Sequence, residues 1–167
     1  MQNELTQLIK SNVEASFLIK NNLTRALNEL VEDYTSQLDS ICKPMGLTCK
    51  DNVDFEERYT GFFIFKPEWE YANIGFQFQN YNRELRFGIV AKRDPGKFPN
   101  DLRIKLRALP NNNKKENDWW PWHNFAESPF ADWSKVEAWK AIEDRRMLNF
   151  MKQKIEMLLA MIGNIKL

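Results

Sequence analysis

Hydrophobic and polar positions change period along the chain, and the changes divide it into successive parts. Through residues 4–42 apolar side chains fall three or four apart. Leu23, Leu27, Leu30, Val31, Tyr34, Leu38 and Ile41 mark one face, and Leu5, Leu8, Ile9, Val13 and Phe17 continue a similar stripe upstream. That spacing brings side chains back to one side of an α-helix, so residues 1–43 read as a helical segment, either two helices or one long bent one. Ser11 and Glu14 have the separation of a capping box and predict a helix restart. Asn21-Asn22 is a second candidate break. Pro44 and Gly46 end the segment, one lacking an amide donor and the other accepting left-handed backbone.

Between residues 47 and 92 the period drops to two, which predicts antiparallel sheet. Gly61 to Phe65 is a short apolar run. Ile74, Phe76 and Phe78 alternate with Gly75, Gln77 and Gln79, and Leu85, Phe87 and Ile89 alternate with Arg86, Gly88 and Val90. Asn80-Tyr81-Asn82-Arg83 between them has hairpin-turn chemistry. The second face of that hairpin carries Gln77, Gln79, Arg86 and, on this reading, Arg83.

Residues 94–100 hold Pro95, Gly96 and Pro99 and predict a loop. A short helix over 100–109 follows, with Asn100 or Asp101 as its cap and Leu102, Leu106 and Leu109 on one side. Residues 111–118 are a polar run that predicts a surface loop. From 119 to 167 come a Trp-rich loop and C-terminal helices. Ser134 and Glu137 form a second capping box, and Met147, Leu148, Met151, Ile155, Leu158, Leu159 and Ile162 are spaced as one buried stripe. The expected fold is therefore α+β, in one domain. An antiparallel sheet of about three to five strands is packed by the long N-terminal helical segment and by a C-terminal amphipathic helix, both on the same face.

Composition sharpens this picture. Hydrophobic residues make up 43% of the 167, enough for a core without disulfides. The net charge of +1 carries no global signal for nucleic acid or membrane. Its distribution is uneven: residues 1–70 hold 7 basic and 12 acidic side chains, residues 83–107 hold 8 basic and 3 acidic. Arg83, Arg86, Lys92, Arg93, Lys97, Arg103, Lys105 and Arg107 supply the local excess, which is either a solvated face or a patch facing an anion. Cys42 and Cys49 form no CxxC pair, so two free thiols are expected. Polar residues follow Met1 directly and no apolar run approaches the roughly 20 residues that span a bilayer, so a cytoplasmic protein without membrane contact is expected.

Candidate chemistry is sparse. His123 is the single histidine, which excludes the usual zinc spacings and leaves one residue for any Ser-His or Cys-His set. No Gly-rich phosphate loop and no nucleophile elbow occur, and no cofactor is expected. Asp51, Asp54, Glu56 and Glu57 lie close together and could in principle offer oxygen ligands to magnesium, although acidic loops are normally just solvated. The rarest feature is Trp119-Trp120-Pro121-Trp122 followed by His123. Three indoles so close are costly to expose. They either lock the last helix against the sheet or present rings that stack on unpaired bases or grip a partner.

The order of these landmarks resembles a known arrangement. Ile74-Gly75-Phe76-Gln77-Phe78 leads into Leu85-Arg86-Phe87-Gly88-Ile89. Trp119-Trp120-Pro121-Trp122 follows, then Trp133, Glu137-Ala138-Trp139 and a closing amphipathic helix. Over roughly residues 60–165 this resembles the C-terminal region of a bacterial and phage family in the PD-(D/E)XK nuclease superfamily. In that family the metal-holding acid and the Asp/Glu-x-Lys strand lie upstream, where they orient the attacking water. Here no Lys has an Asp or Glu two positions before it, so no catalytic residue is carried over. The resemblance implies a stand-alone relative of that region or a fragment of a longer nuclease.

Three functions are expected in order. The first is a non-catalytic accessory domain that binds DNA or RNA or positions a nuclease. The eight basic residues named above would face phosphates, alongside Trp119, Trp120, Trp122 and His123. The second is a protein-interaction or regulatory module of a mobile element or defence system, with the N-terminal helix as a partner or oligomer face. The third is a magnesium-dependent hydrolase on the acidic loop.

Overall fold

The computed structural model describes residues 2–113 and 117–167; residues 114–116 of the predicted polar loop lie outside the described residues. The fold is α+β. Helices α1 (Gln2–Ser11) and α2 (Val13–Cys42) lead into a five-stranded antiparallel sheet, and α3 (Asn100–Arg107), α4 (Val136–Glu143) and α5 (Arg146–Ile162) complete the helices. The strands are β1 (Thr48–Asp51), β2 (Gly61–Phe65), β3 (Ala72–Asn80), β4 (Arg83–Ala91) and β5 (Trp122–Phe125), joined in the order β1-β2-β3-β4-β5. Internal contacts group into two compact units, one ending at Asp33 and one from Tyr34 to Leu167.

In the first unit the helix restarts where the Ser11 spacing predicts. α1 stops at Ser11, and the Asn12 amide side chain donates to the Leu8 carbonyl. Asn21-Asn22 does not break α2, because Asn22 turns its amide back to the Leu18 carbonyl and the helix continues. In the second unit Gly46, at φ 69°, ends the helical segment by donating to the Lys43 carbonyl.

The second unit owes its core to period-two alternation. Phe62, Ile64, Ile74, Phe76, Phe78, Leu85, Phe87 and Ile89 all face one side of the sheet and are buried. The end of α2 covers part of this inner face: the Tyr34 ring meets Phe62 edge-on at 5.4 Å. Another part lies under α5, where Phe150 meets Phe87 at 6.1 Å. The Trp133 ring sits among Tyr34, Phe62, Phe78 and Trp139, with centroids 5.1–5.9 Å away. The α5 stripe follows the predicted spacing at Met147, Met151, Ile155, Leu158 and Ile162, adds Phe150, and leaves Leu148 and Leu159 only partly covered.

Three local expectations are corrected. The sheet extends past residue 92: Trp122–Phe125 pairs with β4 as a fifth strand, where a Trp-rich loop was expected. Neither Asn100 nor Asp101 caps α3; Pro99 holds that position without a side-chain bond. The Ser134–Glu137 capping box does not form, because the Ser134 hydroxyl bonds Asp132 Oδ1 at 2.5 Å and α4 starts behind Lys135.

Candidate functional site

The outer face of the sheet is built differently from the inner one. In the ladder Gln77 lies opposite Arg86 and Arg86 opposite Phe125; in the adjacent row Gly75, Gly88 and His123 are neighbours. Two adjacent glycines leave a trough in a face that would otherwise carry side chains. The Trp120 ring fills it: a Cβ added at Gly75 would lie 3.1 Å from Trp120 Cη2 and 2.9 Å from Val90 Cγ1. Gly88 is also required by its backbone, since its φ of 153° is rarely adopted by other residues and a Cβ there would come within 2.7 Å of His123 Cα.

The three indoles therefore enter three environments. Trp122 turns to the inner face, 6.1 Å from Phe87, and its Nε1 donates to the Pro110 carbonyl at 2.9 Å. Trp120 is buried in the outer trough, edge-on to His123 at 6.4 Å. Trp119 stands 51% exposed at the rim, held by its carbonyl, which accepts from the Ala91 amide at 2.8 Å. The arrangement of alternating strand residues explains this split. Trp122 and His123 are consecutive in β5 and must point to opposite faces.

Arg86 is the centre of the outer face. Its guanidinium carbon lies 5.6 Å from the Trp120 ring centre and 5.1 Å from that of Phe125. Its Nε is buried without a hydrogen-bond partner, and among the described residues no carboxylate forms an ion pair with it. Burial pushes its pKa below the usual arginine value, yet the guanidinium keeps its charge at neutral pH. His123 Nδ1 beside it is likewise buried and unpartnered. Burial first, then the Arg86 charge, hold that imidazole below the ordinary histidine range, so it is neutral at pH 7.

Arg86 and Trp120 form the floor of a groove of about 630 Å³, lined by Tyr59, Gln77, Gln79, Arg86, Val90, Asn117, Trp119 and Trp120. Gln77 Nε2 donates to the Tyr59 carbonyl at 2.8 Å, and Gln79 Nε2 to Gln77 Oε1 at 3.2 Å, so the two amides stand in a fixed row. Tyr59 and Trp119 offer exposed rings at the rim.

The other basic residues go elsewhere. Arg83 reaches Asp132 at 4.0 Å rather than the outer face. Arg103 is largely buried; it contacts Asp118 Oδ1 at 2.9 Å and the Pro95 carbonyl at 2.5 Å, and lies 5.3 Å from the Phe98 ring centre. Arg107 shares Asp118 at 3.5 Å, and Lys105 pairs with Asp101 at 3.9 Å. Lys92 donates to the Trp69 carbonyl. Arg93 and Lys97 line a separate cleft of about 200 Å³ with Glu70 and Asp94. Of the sequence-derived set, the structure thus gathers Arg86, Trp119, Trp120 and His123 on one face, and gives Arg83, Arg103, Lys105 and Arg107 acidic partners.

Tyr59 and Phe125 were not among the residues singled out from sequence. Tyr59 follows an acidic stretch with no periodicity, while Phe125 could have been found by continuing the alternation from Trp122 and His123. The acidic loop does not converge: among the described residues no group of three or more His, Cys, Asp or Glu side chains is placed to hold a metal ion. No described helix is long and apolar enough to cross a membrane. The Cys42 and Cys49 thiols are buried, and desolvation raises Cys42 to about 12 and Cys49 upward as well. Compared with family models, curated proteins and solved structures, the chain matches none.

Proposed function

We propose that the chain is a non-catalytic nucleic-acid-binding domain, accessory to a nuclease of the PD-(D/E)XK kind. It takes single-stranded DNA or RNA across the outer face of its sheet. The observation that carries this reading is Arg86, a half-buried guanidinium with an unpartnered Nε, set between two aromatic rings at the floor of a groove. An arginine so placed supplies charge-assisted donors to a phosphate or to a base edge. Exposed Tyr59 and Trp119 rings at the rim are stacking surfaces for bases taken out of a duplex. The ordered amides of Gln77 and Gln79 add polar contacts for base edges.

Shape and charge favour single strands over duplex. A duplex ligand needs a broad basic stripe for its two backbones, and Arg83, Arg103, Lys105 and Arg107 are each satisfied by a carboxylate. A groove with rings at its rim and Arg86 at its floor suits unstacked bases instead.

The test is fluorescence anisotropy with short single-stranded and duplex oligonucleotides over a salt series. Single strands are expected to bind tighter, with log K falling by about 0.7 per phosphate neutralised for each tenfold rise in salt. Trp119→Ala is expected to weaken binding by roughly 5- to 160-fold, matching the ~1–3 kcal/mol of one base stack, and Arg86→Met by at least about ten-fold. Absence of binding at low salt, or binding indifferent to both substitutions, defeats the reading.

A further inference from the structure

The first unit presents a helix surface that the described residues leave uncovered. From Glu4 to Leu30 only Ser16, Asn22 and Leu27 are even partly shielded. Leu5, Leu8, Ile9, Val13, Phe17, Leu18, Ile19, Leu23 and Leu30 are between 46% and 67% exposed. Together these side chains show on the order of 800 Å² of apolar surface, about half of it on Leu5, Ile9, Ile19, Leu23 and Leu30, and more than the largest patch a lone monomer ordinarily carries. Helices in water take most of their stability from packing an amphipathic face, so this segment needs an occupant for that face.

The spacing says what kind of occupant. Leu5, Ile9, Ile19, Leu23, Ala26 and Leu30, with Asn12 and Ser16 filling the gap between Ile9 and Ile19, are separated alternately by four and three residues. That is the repeat at which two helices keep one seam in register over several turns. The charges narrow the choice further. Between residues 4 and 29 the helices carry Glu4, Glu14 and Glu29 against Lys10, Lys20 and Arg25. A lipid surface or an acidic partner helix would be met by a cationic polar face, and a basic partner by an acidic one. A balanced face pairs with itself without like-charge repulsion.

We propose that residues 5–30 form a coiled-coil seam with the same residues of a second copy of this chain. Ser16 is the polar position of the seam within α2, while Asn12, its amide given to the Leu8 carbonyl, marks the turn where the seam passes from α1 to α2. The pairing is independent of the groove on the sheet and leaves it open.

Sedimentation equilibrium of the full chain over a wide concentration range tests this. The expected result is twice the single-chain mass of 19.9 kDa, and a return to the single mass for the Ile19→Glu, Leu23→Glu double variant. Near-UV circular dichroism of the double variant should match the parent, since the tryptophans all lie in the second unit. Leu18→Glu, which alters an exposed apolar residue off the seam, should keep the doubled mass. A parent that stays at the single mass throughout overturns the proposal, as does a doubled mass that survives the double variant or is lost with Leu18→Glu. Mass that rises only when anionic vesicles or another protein is added also overturns it.

Discussion

The two faces of the sheet use the same strands and solve different problems. On the inner face Phe62, Phe76, Phe78, Leu85 and Phe87 are closed off by Tyr34, Trp133 and Phe150, and rings meet rings with little polar interruption. On the outer face the corresponding positions carry Gly75, Gln77, Gly88 and Arg86, and one indole is folded into a trough that the glycines leave. The inner face maximises buried apolar area. The outer face spends burial on holding a charge and two rings in fixed places. Stability is concentrated on one side, where the polar atoms left without partners, the Tyr34 hydroxyl and Trp133 Nε1, are sealed among rings; ligand chemistry is on the other, where the unpartnered Arg86 Nε lies at the floor of a groove.

The comparison breaks most sharply at Trp133. Its ring touches Tyr34, Phe62, Phe78 and Trp139 and is 1% exposed. Trp133→Ala leaves a cavity at the meeting of four elements, α2, β2, β3 and α4, and is expected to cost about 3–5 kcal/mol, read as a lower urea midpoint by far-UV circular dichroism. Loss below about 1 kcal/mol would mean that the inner face is not the main store of stability.

A smaller loss is expected where the two faces share a backbone. Gly88→Ala forces a side chain onto φ 153° and against β5 near His123 Cα. The cost should be about 1–3 kcal/mol, from strain together with displacement of β5. Because β5 carries His123 and Phe125, oligonucleotide affinity should fall as well, and a loss of stability with affinity intact would separate β5 from the ligand surface.

How much of this was legible in the residues depends on what fixed each element. The hairpin of β3 and β4 could be read because alternation over nine residues is a long signal with one solution, and its polar side named Gln77, Gln79 and Arg86 as face-sharing neighbours. The strand Trp122–Phe125 could not, because four residues with a proline before them carry too little period to distinguish a strand from an aromatic loop. Arg83 and the α4 cap went astray for one common reason: Asp132, distant in sequence from the first and unremarkable beside the second, takes both the Arg83 guanidinium and the Ser134 hydroxyl. Charge counts see the excess over residues 83–107 but not Asp118, which neutralises part of it from outside the segment. The site centre was named in sequence as one of eight equivalent cations, and only its tertiary placement, between two rings at the floor of a groove, distinguishes it from the rest.

The smallest expected effect on stability tests the comparison most directly, because it falls on that centre. Arg86→Met keeps a long, flexible chain between Trp120 and Phe125 while removing the charge and the unpartnered Nε. Loss of the cation–ring contacts costs roughly 0.5–1 kcal/mol. Relief of a desolvated donor returns a similar amount, about 1 kcal/mol. The two offset, so the urea midpoint should move by less than about 1 kcal/mol in either direction. The same change should weaken single-strand binding at least ten-fold, as stated above. Stability nearly unchanged with affinity lost places Arg86 with the ligand. If Arg86→Met instead destabilises as much as Gly88→Ala, the guanidinium is a structural clamp, and the outer face is a second core with a polar atom at its centre.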